Sequence, residues 1–351
     1  MTKPASGAEG ASEADGVAEV RRAVGAEEAR GAGGSAVIGL DLGGSTVRAV
    51  VTGPGGVQHR ATVRHTARGY PAVLALLEQV VAQSRQAAGS RPVQAVGLAV
   101  AGWLSADREQ LIAAANLGVA GVPLRRDLEQ RVGLPVTVDN DGNAAALAEA
   151  RAGAGQRARM LVVLTLGTGV GGGIVACGRL LTGAAGLAGE LGHLPSINNG
   201  PSCACGGRGC LEVYASGPAV ARQAAHAGLA GPGGPDGPAL TAEDVVAAAR
   251  AGAPEAIGAL AAAGQAVGQA VARLVPVLNP DLVLLGGGLA TGATDLILIP
   301  ARRALAEATP LSNVVAAPPV SLATGGADAG ALGASYLPDM NARRTPAGAS
   351  A

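Results

Sequence analysis

The sequence predicts an α/β protein built from two lobes with a cleft between them. Its 351 residues exceed the usual size of a single hydrophobic core, so two lobes are expected. Short apolar runs with strand character alternate with segments of helical periodicity along most of the chain. Residues 164–169 repeat the pattern of residues 40–45, in which an apolar strand leads through small residues into a second strand. This internal similarity indicates a duplicated lobe.

The first half of the chain predicts a meander of three strands followed by alternating helices and strands. Glycine-rich turns separate the first three apolar runs. The next segment has apolar residues on one helical face, and two near-continuous apolar runs are typical of buried strands. The predicted elements are strands at 37–41, 46–52 and 57–63, a helix at 71–88, strands at 93–100 and 136–139, and an alanine-rich helix at 143–152.

The second half predicts the same scheme with longer helices. Thr241 lies three residues before Asp244, which is the spacing of a helix N-cap. The predicted elements are strands at 160–166 and 171–176, helices at 242–251 and 254–278, a strand at 281–285 and a last helix at 327–336.

The chain therefore divides into five parts. Its N-terminal segment is rich in Ala, Gly and Glu, a composition typical of disorder. The predicted parts are a disordered tail at 1–34, a small lobe at 35–139, a large lobe at 140–326, a C-terminal helix at 327–338 that returns to the small lobe, and a flexible tail at 339–351.

Composition excludes several classes of partner. The formal net charge is zero and Lys3 is the only lysine, so neither a nucleic acid nor an anionic membrane is an expected partner. Aromatic residues make up 1% of the chain, which argues against binding by ring stacking. The N-terminus shows no basic segment followed by an apolar one, as an export signal would have. We therefore expect a protein of the reducing cytoplasm.

Three of the four cysteines fall within eight positions. Cys203, Cys205 and Cys210 lie shortly after His193, and one imidazole with three thiolates is a complete tetrahedral ligand set for Zn²⁺. The alternative is three free thiols beside a chance histidine. Because Glu190 and Glu212 bracket this cluster, a zinc-held loop is expected to shape a binding site.

Two glycine-rich turns are candidates for phosphate binding. Strands that run directly into glycines let the backbone approach a ligand and point N–H groups at it. The alternative is ordinary hairpin turns in a glycine-rich protein. At the first turn, Asp41 ends a strand and can hold Mg²⁺ through water. The candidate residues are Asp41, Gly43, Gly44 and Ser45 in the first turn and Gly167, Thr168 and Gly169 in the second.

Asn140 and Asp141 lie where a predicted strand ends and a helix begins. Open α/β sheets place reactive groups at such strand ends, and Asp141 there can accept a proton from a substrate hydroxyl while Asn140 orients the substrate. The alternative is that these residues cap the helix, which is their commonest use at this position.

Taken together, these motifs resemble the ROK family (repressor, open reading frame, kinase), which includes bacterial glucokinases. The resemblance covers about residues 36–336, and Gly286, Gly287 and Gly288 are similar to the adenosine-side motif of the family. It implies an actin/hexokinase-like fold, a homodimer, and a sugar and ATP bound between the lobes. It implies that Asp141 is the base. The implied sugar ligands are Asn140, Glu190, His193 and Glu212, and the implied zinc ligands are His193, Cys203, Cys205 and Cys210.

The sequence departs from the family pattern at three positions. Ser45 stands where Thr is usual, Thr46 where many glucokinases have Lys, and Gly142 where Ala is usual. Gly142 is expected to loosen the start of the helix after Asp141.

The leading hypothesis is an ATP- and Mg²⁺-dependent hexose kinase that forms a sugar 6-phosphate, with glucose as the expected sugar. The alternatives are an N-acetylmannosamine or N-acetylglucosamine kinase and a sugar-sensing transcription regulator of the same family without its DNA-binding domain. Polyphosphate as the donor in place of ATP would need a basic channel, for which this chain has few cations.

Overall fold

The computed structural model describes residues 34–231, 238–310 and 312–342. Of the two predicted tails, only residue 34 and residues 339–342 fall within these ranges.

The first half of the chain forms a five-stranded sheet with helices and a small additional sheet. The five strands have the order β3-β2-β1-β4-β8, antiparallel from β3 to β1 and parallel from β1 to β8. The elements are β1 (Ala36–Leu42), β2 (Thr46–Gly53), β3 (Gly56–Arg64), α1 (Tyr70–Ala87), β4 (Val93–Val100), β5 (Trp103–Leu104), β6 (Leu111–Ala114), β7 (Val119–Val122), α2 (Leu124–Val132) and β8 (Val136–Asn140).

The second half forms a second five-stranded sheet of the order β11-β10-β9-β12-β13. Its elements are α3 (Asp141–Ala152), β9 (Met160–Leu166), β10 (Val170–Ala176), β11 (Arg179–Leu180), α4 (Glu212–Ala215), α5 (Gly217–His226), α6 (Ala242–Arg250), α7 (Pro254–Leu278), β12 (Leu282–Gly286), α8 (Gly287–Ala293), α9 (Asp295–Ala308), β13 (Val320–Leu322) and α10 (Ala329–Ala342).

The two sheets share one topology. Counted within each half, the strand order is 3-2-1-4-5, with an antiparallel meander followed by two parallel strands. The turn between β1 and β2 is therefore equivalent to the turn between β9 and β10. The internal duplication predicted from residues 40–45 and 164–169 is confirmed.

Several elements differ from the sequence prediction. The short strands β5 to β7, β11 and β13 and the helices α2, α4, α5, α8 and α9 were not predicted. Strands of two to four residues and a single-turn helix such as α4 are too short to show a periodic pattern. The helix predicted from residue 143 begins at Asp141, and the last helix begins at Ala329 and continues to Ala342. Thr241 caps α6 as predicted, with Asp244 completing a capping box.

The core of the second half is built around α7. Its buried face carries Leu260, Val267 and Val271, which pack with residues of β9, β12 and α9. In the described part of the chain, no single helix is long and apolar enough to cross a membrane. The pair α6 and α7, bent by 116°, meets that test only when both helices are counted together.

Helices α3 and α10 pack between the two sheets, and their backbones come into direct contact with neighbouring backbone at several glycines. A side chain on Gly97 of β4 or on Gly333 of α10 would collide with a carbonyl oxygen of α10 or α3, respectively. The last helix thereby returns to the first sheet and shares a small apolar core with α3. Gly142 likewise allows α3 to approach the backbone of Gly172 in β10, so this glycine has a packing role at the start of α3.

Glu149 of α3 is a buried carboxylate that ties this helix to the segment after β13. The side chain, 1% exposed, accepts hydrogen bonds from the backbone N–H groups of Ala154, Thr324 and Gly325 at 2.9, 2.8 and 2.6 Å. The hydroxyl of Thr324 donates to it as well, at 3.2 Å. Four donors satisfy the charge, so Glu149 fixes the C-terminal end of α3.

Replacing Glu149 by Ala is expected to lower the free energy of unfolding by about 3 kcal/mol or more, because several buried donors lose their acceptor. Chemical denaturation measures the effect. The control is Glu78→Ala, which removes an exposed ion pair with Arg131 and is expected to cost about 0–1 kcal/mol. Equal costs for the two variants would contradict the role assigned to Glu149.

Candidate functional site

The strand end at β8 carries both a helix cap and an acid. The side-chain oxygen of Asn140 accepts from the N–H groups of Gly142 and Asn143 at 2.8 and 3.3 Å, so Asn140 is the N-cap of α3. Its amide nitrogen lies 3.4 Å from the carbonyl oxygen of Gly102. Asp141, the first residue of the helix, accepts a single hydrogen bond of 2.9 Å from the N–H of Gly142. The capping interpretation therefore holds for Asn140, while Asp141 keeps acceptor capacity for a ligand.

A first cavity of about 470 Å³ opens beside Asp141. This volume lies within the roughly 300–1,000 Å³ range of small-molecule sites. Residues from both halves of the chain line it, and the polar groups converge from several separate segments. The lining includes Trp103 and Asn116 of the first half, Asn140 and Asp141 at the junction, and Thr168, Gly169, Glu190, His193 and Glu212 of the second half.

A second cavity of about 340 Å³ lies on the other side of Asp141. Three carboxylates, one guanidinium and a glycine-rich backbone segment line it: Asp41, Asp141, Glu149, Arg48, and Gly286 to Gly288. Asp141 and Thr165 line both cavities. The two cavities therefore adjoin each other at Asp141 and Thr165.

Burial shifts the ionisation of the acids at this junction. Desolvation raises the pKa of Asp141. Desolvation and the nearby charge of Asp141 raise the pKa of Asp41 to about 7, against the opposing effect of Arg48. Desolvation also raises the pKa of Glu190. Such raised values are typical of sites whose charge is completed by a ligand.

The predicted metal ligands come together. The ligand atoms of His193, Cys203, Cys205 and Cys210 all lie within 4.8 Å of one another. The sulfur atoms of Cys205 and Cys210 are 3.6 Å apart, and the sulfur of Cys203 is 3.8 Å from Nδ1 of His193. In a tetrahedral site with Zn–S bonds of about 2.3 Å, ligand sulfurs are about 3.8 Å apart. The cluster therefore fits Zn²⁺ in size and chemistry.

His193 connects this cluster to the first cavity. Its ring meets Trp103 edge to face, with centroids 6.5 Å apart and an angle of 80° between the planes. Glu212, two residues after Cys210, accepts from the N–H of Val170 at 3.1 Å. A side chain on Gly169 would press against the same carboxylate, which explains the glycine there. The cysteine loop thus supports one wall of the cavity.

Only some residues of the glycine turns line one of the two cavities. Thr168 and Gly169 line the first cavity, and Gly286 to Gly288 line the second, together with Asp41. Gly43, Gly44, Ser45 and Gly167 line neither cavity. Gly43 closes the β1–β2 turn by donating to the carbonyl of Thr46 at 2.9 Å, and Gly167 accepts from the N–H of Gly217 at 2.7 Å.

Sequence patterns did not identify Arg108 as part of this site. Its guanidinium pairs with Asp139 at 3.2 Å, and two of its nitrogens donate to the carbonyl of Gly186, each at 3.2 Å. Arg108 thereby links the β5–β6 turn to the residue before Asn140 and to the loop before Glu190. No local motif signals such a contact, since its partners lie far apart in sequence. For Trp103, which lines the first cavity, the one signal in the sequence is that it is the only tryptophan of the chain.

Comparison with known proteins identifies relatives over most of the chain. Residues 37–340 match the family model described as the ROK family. The glucokinase of Halalkalibacterium halodurans is 36% identical over 250 residues, which cover 69% of this chain and 75% of that enzyme. Other relatives are the xylose repressor of Caldicellulosiruptor bescii, 30% identical over 61% of this chain and 55% of the repressor, and the N-acetylmannosamine kinase of Citrobacter koseri, 35% identical over 63% and 70%.

Solved structures are similar along nearly the whole described chain. The ROK hexokinase of Thermus thermophilus is 35% identical with a TM-score of 0.75, and the match covers 88% of this chain and 100% of that one. The ROK glucokinase of Streptomyces griseus, solved in complex with glucose and AMPPNP, is 33% identical with a TM-score of 0.73 over 86% and 99%. The predicted actin/hexokinase-like fold is thereby confirmed. By the match over residues 37–340 and by these relatives, the chain belongs to the ROK family.

Proposed function

We propose that this protein is an ATP- and Mg²⁺-dependent hexose kinase that phosphorylates the 6-hydroxyl of a sugar, with glucose as the expected substrate. The observation that carries the proposal is the position of Asp141 at the junction of two cavities. A phosphoryl transfer between two bound substrates needs such an arrangement, since the acceptor hydroxyl and the donor phosphate must meet in line.

In this proposal the sugar occupies the first cavity. Asn140, through its amide nitrogen, and the carboxylates of Glu190 and Glu212 offer a donor and acceptors to a ring of hydroxyl groups. His193 lines the same cavity. Asp141 then accepts the proton of the attacking hydroxyl as general base, for which a raised pKa is favourable at neutral pH.

The nucleotide occupies the second cavity in this proposal. Gly286, Gly287 and Gly288 leave room for the phosphates to approach the backbone. Asp41 lines the same cavity and would hold Mg²⁺, and the bound ion would neutralise phosphate charge. The relative from Streptomyces griseus, solved with glucose and AMPPNP, supports ATP as the donor and glucose as the acceptor.

We further propose that His193, Cys203, Cys205 and Cys210 hold a structural Zn²⁺. Four protein ligands fill a tetrahedral shell, so the ion would have no open position for chemistry. Its role would be to fix the ring of His193 and, through the short segment to Glu212, one wall of the sugar cavity.

A sugar-responsive repressor is the second candidate, because the relatives include a xylose repressor. Both functions need the sugar cavity. The second cavity, with Asp41 and Asp141 facing it, favours the kinase, since a protein that only senses a sugar has no use for a phosphate site. A gel-shift assay on upstream DNA with and without sugar separates the two.

The kinase proposal predicts sugar-dependent formation of ADP, with glucose used best among glucose, N-acetylmannosamine, N-acetylglucosamine and fructose. Asp141→Asn is expected to reduce kcat by about 10²–10⁴-fold, the usual contribution of a general base. Glucose binding, followed by the fluorescence of Trp103, should remain. Asp295→Asn, an exposed acid at the start of α9, is the matched control and should keep full activity.

Two outcomes contradict this prediction separately. Absence of sugar-dependent turnover with every sugar in the panel rejects the kinase. Full turnover by the Asp141→Asn variant rejects Asp141 as the base and leaves the kinase in place.

The activity is expected to fall on acidification at a pH well above the ordinary carboxyl range. The pKa of Asp141 is raised and that of Asp41 is raised to about 7, and both groups act as carboxylates. As the pH falls through these raised values, Asp41 and Asp141 become protonated. Asp41 can then no longer hold Mg²⁺, and Asp141 can no longer accept the proton of the sugar hydroxyl. A profile of kcat/KM against pH measures the acid limb, and a limb near pH 4, the usual value of an aspartate, would contradict the assignment.

The zinc assignment predicts about one Zn per chain by elemental analysis. Cys205→Ser is expected to lose the metal and to weaken glucose binding, because His193 is no longer fixed. Cys177→Ser is the control, since Cys177 is exposed and lies outside the cluster. Retention of both metal and glucose affinity by the Cys205 variant would reject the site.

A further inference from the structure

Arg108 lies in the turn between β5 and β6, and its side chain reaches from the first half of the chain to the second. The guanidinium is 11% exposed, and its Nη2 lies 3.2 Å from Oδ1 of Asp139. Nη1 and Nη2 both donate to the carbonyl oxygen of Gly186 in the second half. Arg108 lines neither of the two cavities, so any effect that it has on a bound sugar must act through other residues.

The backbone on both sides of this contact is adapted to it. Arg108 has a φ of 63°, in the left-handed region that residues other than glycine seldom adopt. Such a conformation persists where the surrounding structure holds it in place. On the other side, a side chain at Gly186 would collide with Nη1 of Arg108. The contact therefore depends on the particular residue at both positions.

Gly186 belongs to the loop 181–190, which contains no helix or strand and leads to the sugar cavity. Its neighbour Leu187 is 53% exposed, so burial of apolar surface does little to hold this part of the loop. The carbonyl of Leu187 accepts from the N–H of Glu190 at 3.3 Å. Since Glu190 lines the first cavity, a shift of the loop at Gly186 would be passed on to that carboxylate.

The same guanidinium compensates a buried acid at the end of β8. Asp139 is 7% exposed, and its Oδ1 also accepts from the N–H of Asn140 at 2.7 Å and from the side-chain amide of Asn143 at 2.9 Å. A buried carboxylate needs a compensating charge, and Arg108 provides it. One planar group thus fixes the loop 181–190 relative to the strand end from which helix α3 begins.

We propose that Arg108 is a positioning residue for the sugar, because it holds the loop 181–190 beside Asp139 and thereby sets the separation of Glu190 and Asn140 across the first cavity. The inference rests on the proposed function, since that function places a sugar in this cavity. Arg108 keeps its protons throughout and makes no contact with the substrate. Its contribution is to the affinity for the sugar.

The test compares Arg108→Gly and Arg108→Lys with the wild type in the full-length protein. Glycine adopts a positive φ readily, so Arg108→Gly keeps the turn and removes the guanidinium. KM and Kd for glucose are expected to rise about 10- to 100-fold, because displaced ligand groups cost binding. KM for ATP should stay within about twofold, since Arg108 does not line the second cavity. Arg108→Lys should recover part of the loss, because it restores the charge beside Asp139.

Asp107→Ala is the matched control. Asp107 is exposed in the same turn, and its carboxylate accepts from the hydroxyl of Ser105 at 2.6 Å and from the N–H of Glu109 at 3.1 Å. The substitution loosens the turn and leaves the guanidinium in the protein. Glucose affinity is expected to stay within about twofold of the wild type.

A double-mutant cycle tests whether Arg108 acts through Glu190. Calorimetric titration with glucose gives the affinity of Arg108→Gly, of Glu190→Gln and of the double variant. In the Glu190→Gln background, Arg108→Gly is expected to cost less than about threefold, because the group that Arg108 positions is already impaired.

Three results overturn the inference and leave the kinase standing: unchanged glucose affinity in Arg108→Gly, an equal loss of glucose and ATP affinity, or two losses that multiply in the double variant. Wild-type protein that binds glucose without turning it over rejects the kinase alone, and the glucose affinity of Arg108→Gly then still decides the role of Arg108. Wild-type protein that binds no sugar rejects both.

Discussion

The structure depends on the fixed start of helix α3. Asn140 caps this helix with two hydrogen bonds to its first N–H groups, and the next residue, Asp141, is thereby held between two cavities. Further along the helix, Glu149 accepts four hydrogen bonds and ties α3 to the segment after β13. Close packing at Gly142 and Gly333 leaves the helix little room to shift. The general base proposed at Asp141 would need to be positioned to a fraction of an ångström, and the fixed start of this helix is consistent with that need.

The same position makes the acids costly to keep ionised. Asp41, Asp141 and Glu190 all have raised pKa values, with burial as the first cause. Bound cations and hydrogen-bond donors offset such a cost, as a divalent cation at Asp41 and the hydroxyl groups of a sugar would in the proposed complex. The proposed ligands would complete an arrangement of charges that the protein alone leaves unsatisfied.

The sequence predicted those features that depend on nearby residues. The cluster of His193 and the three cysteines is confined to 18 consecutive positions, and the structure brings all four ligand atoms together as predicted. The duplicated lobe and the ROK family were also predicted, because the glycine turns recur at equivalent strand ends. The choice between cap and base at residues 140 and 141 was left open by the pattern, and only the three-dimensional contacts separate the two residues.

Long-range contacts could not be predicted: the partners of Arg108 are 31 and 78 positions away, and those of Glu149 at Thr324 and Gly325 are 175 and 176 away. The first glycine turn also shows that a sequence motif does not determine which residues line a cavity, since Gly43 to Ser45 line neither of the two.

The central claim is that one carboxylate, Asp141, serves two substrates bound on either side of it. A crystal structure of this protein with glucose and AMPPNP tests that claim most directly. The account predicts the sugar between Trp103 and His193, its 6-hydroxyl within about 2.6–3.2 Å of a carboxylate oxygen of Asp141, and the triphosphate in the cavity lined by Gly286 to Gly288. A sugar bound away from Asp141, or a nucleotide that leaves the second cavity unfilled, would contradict it.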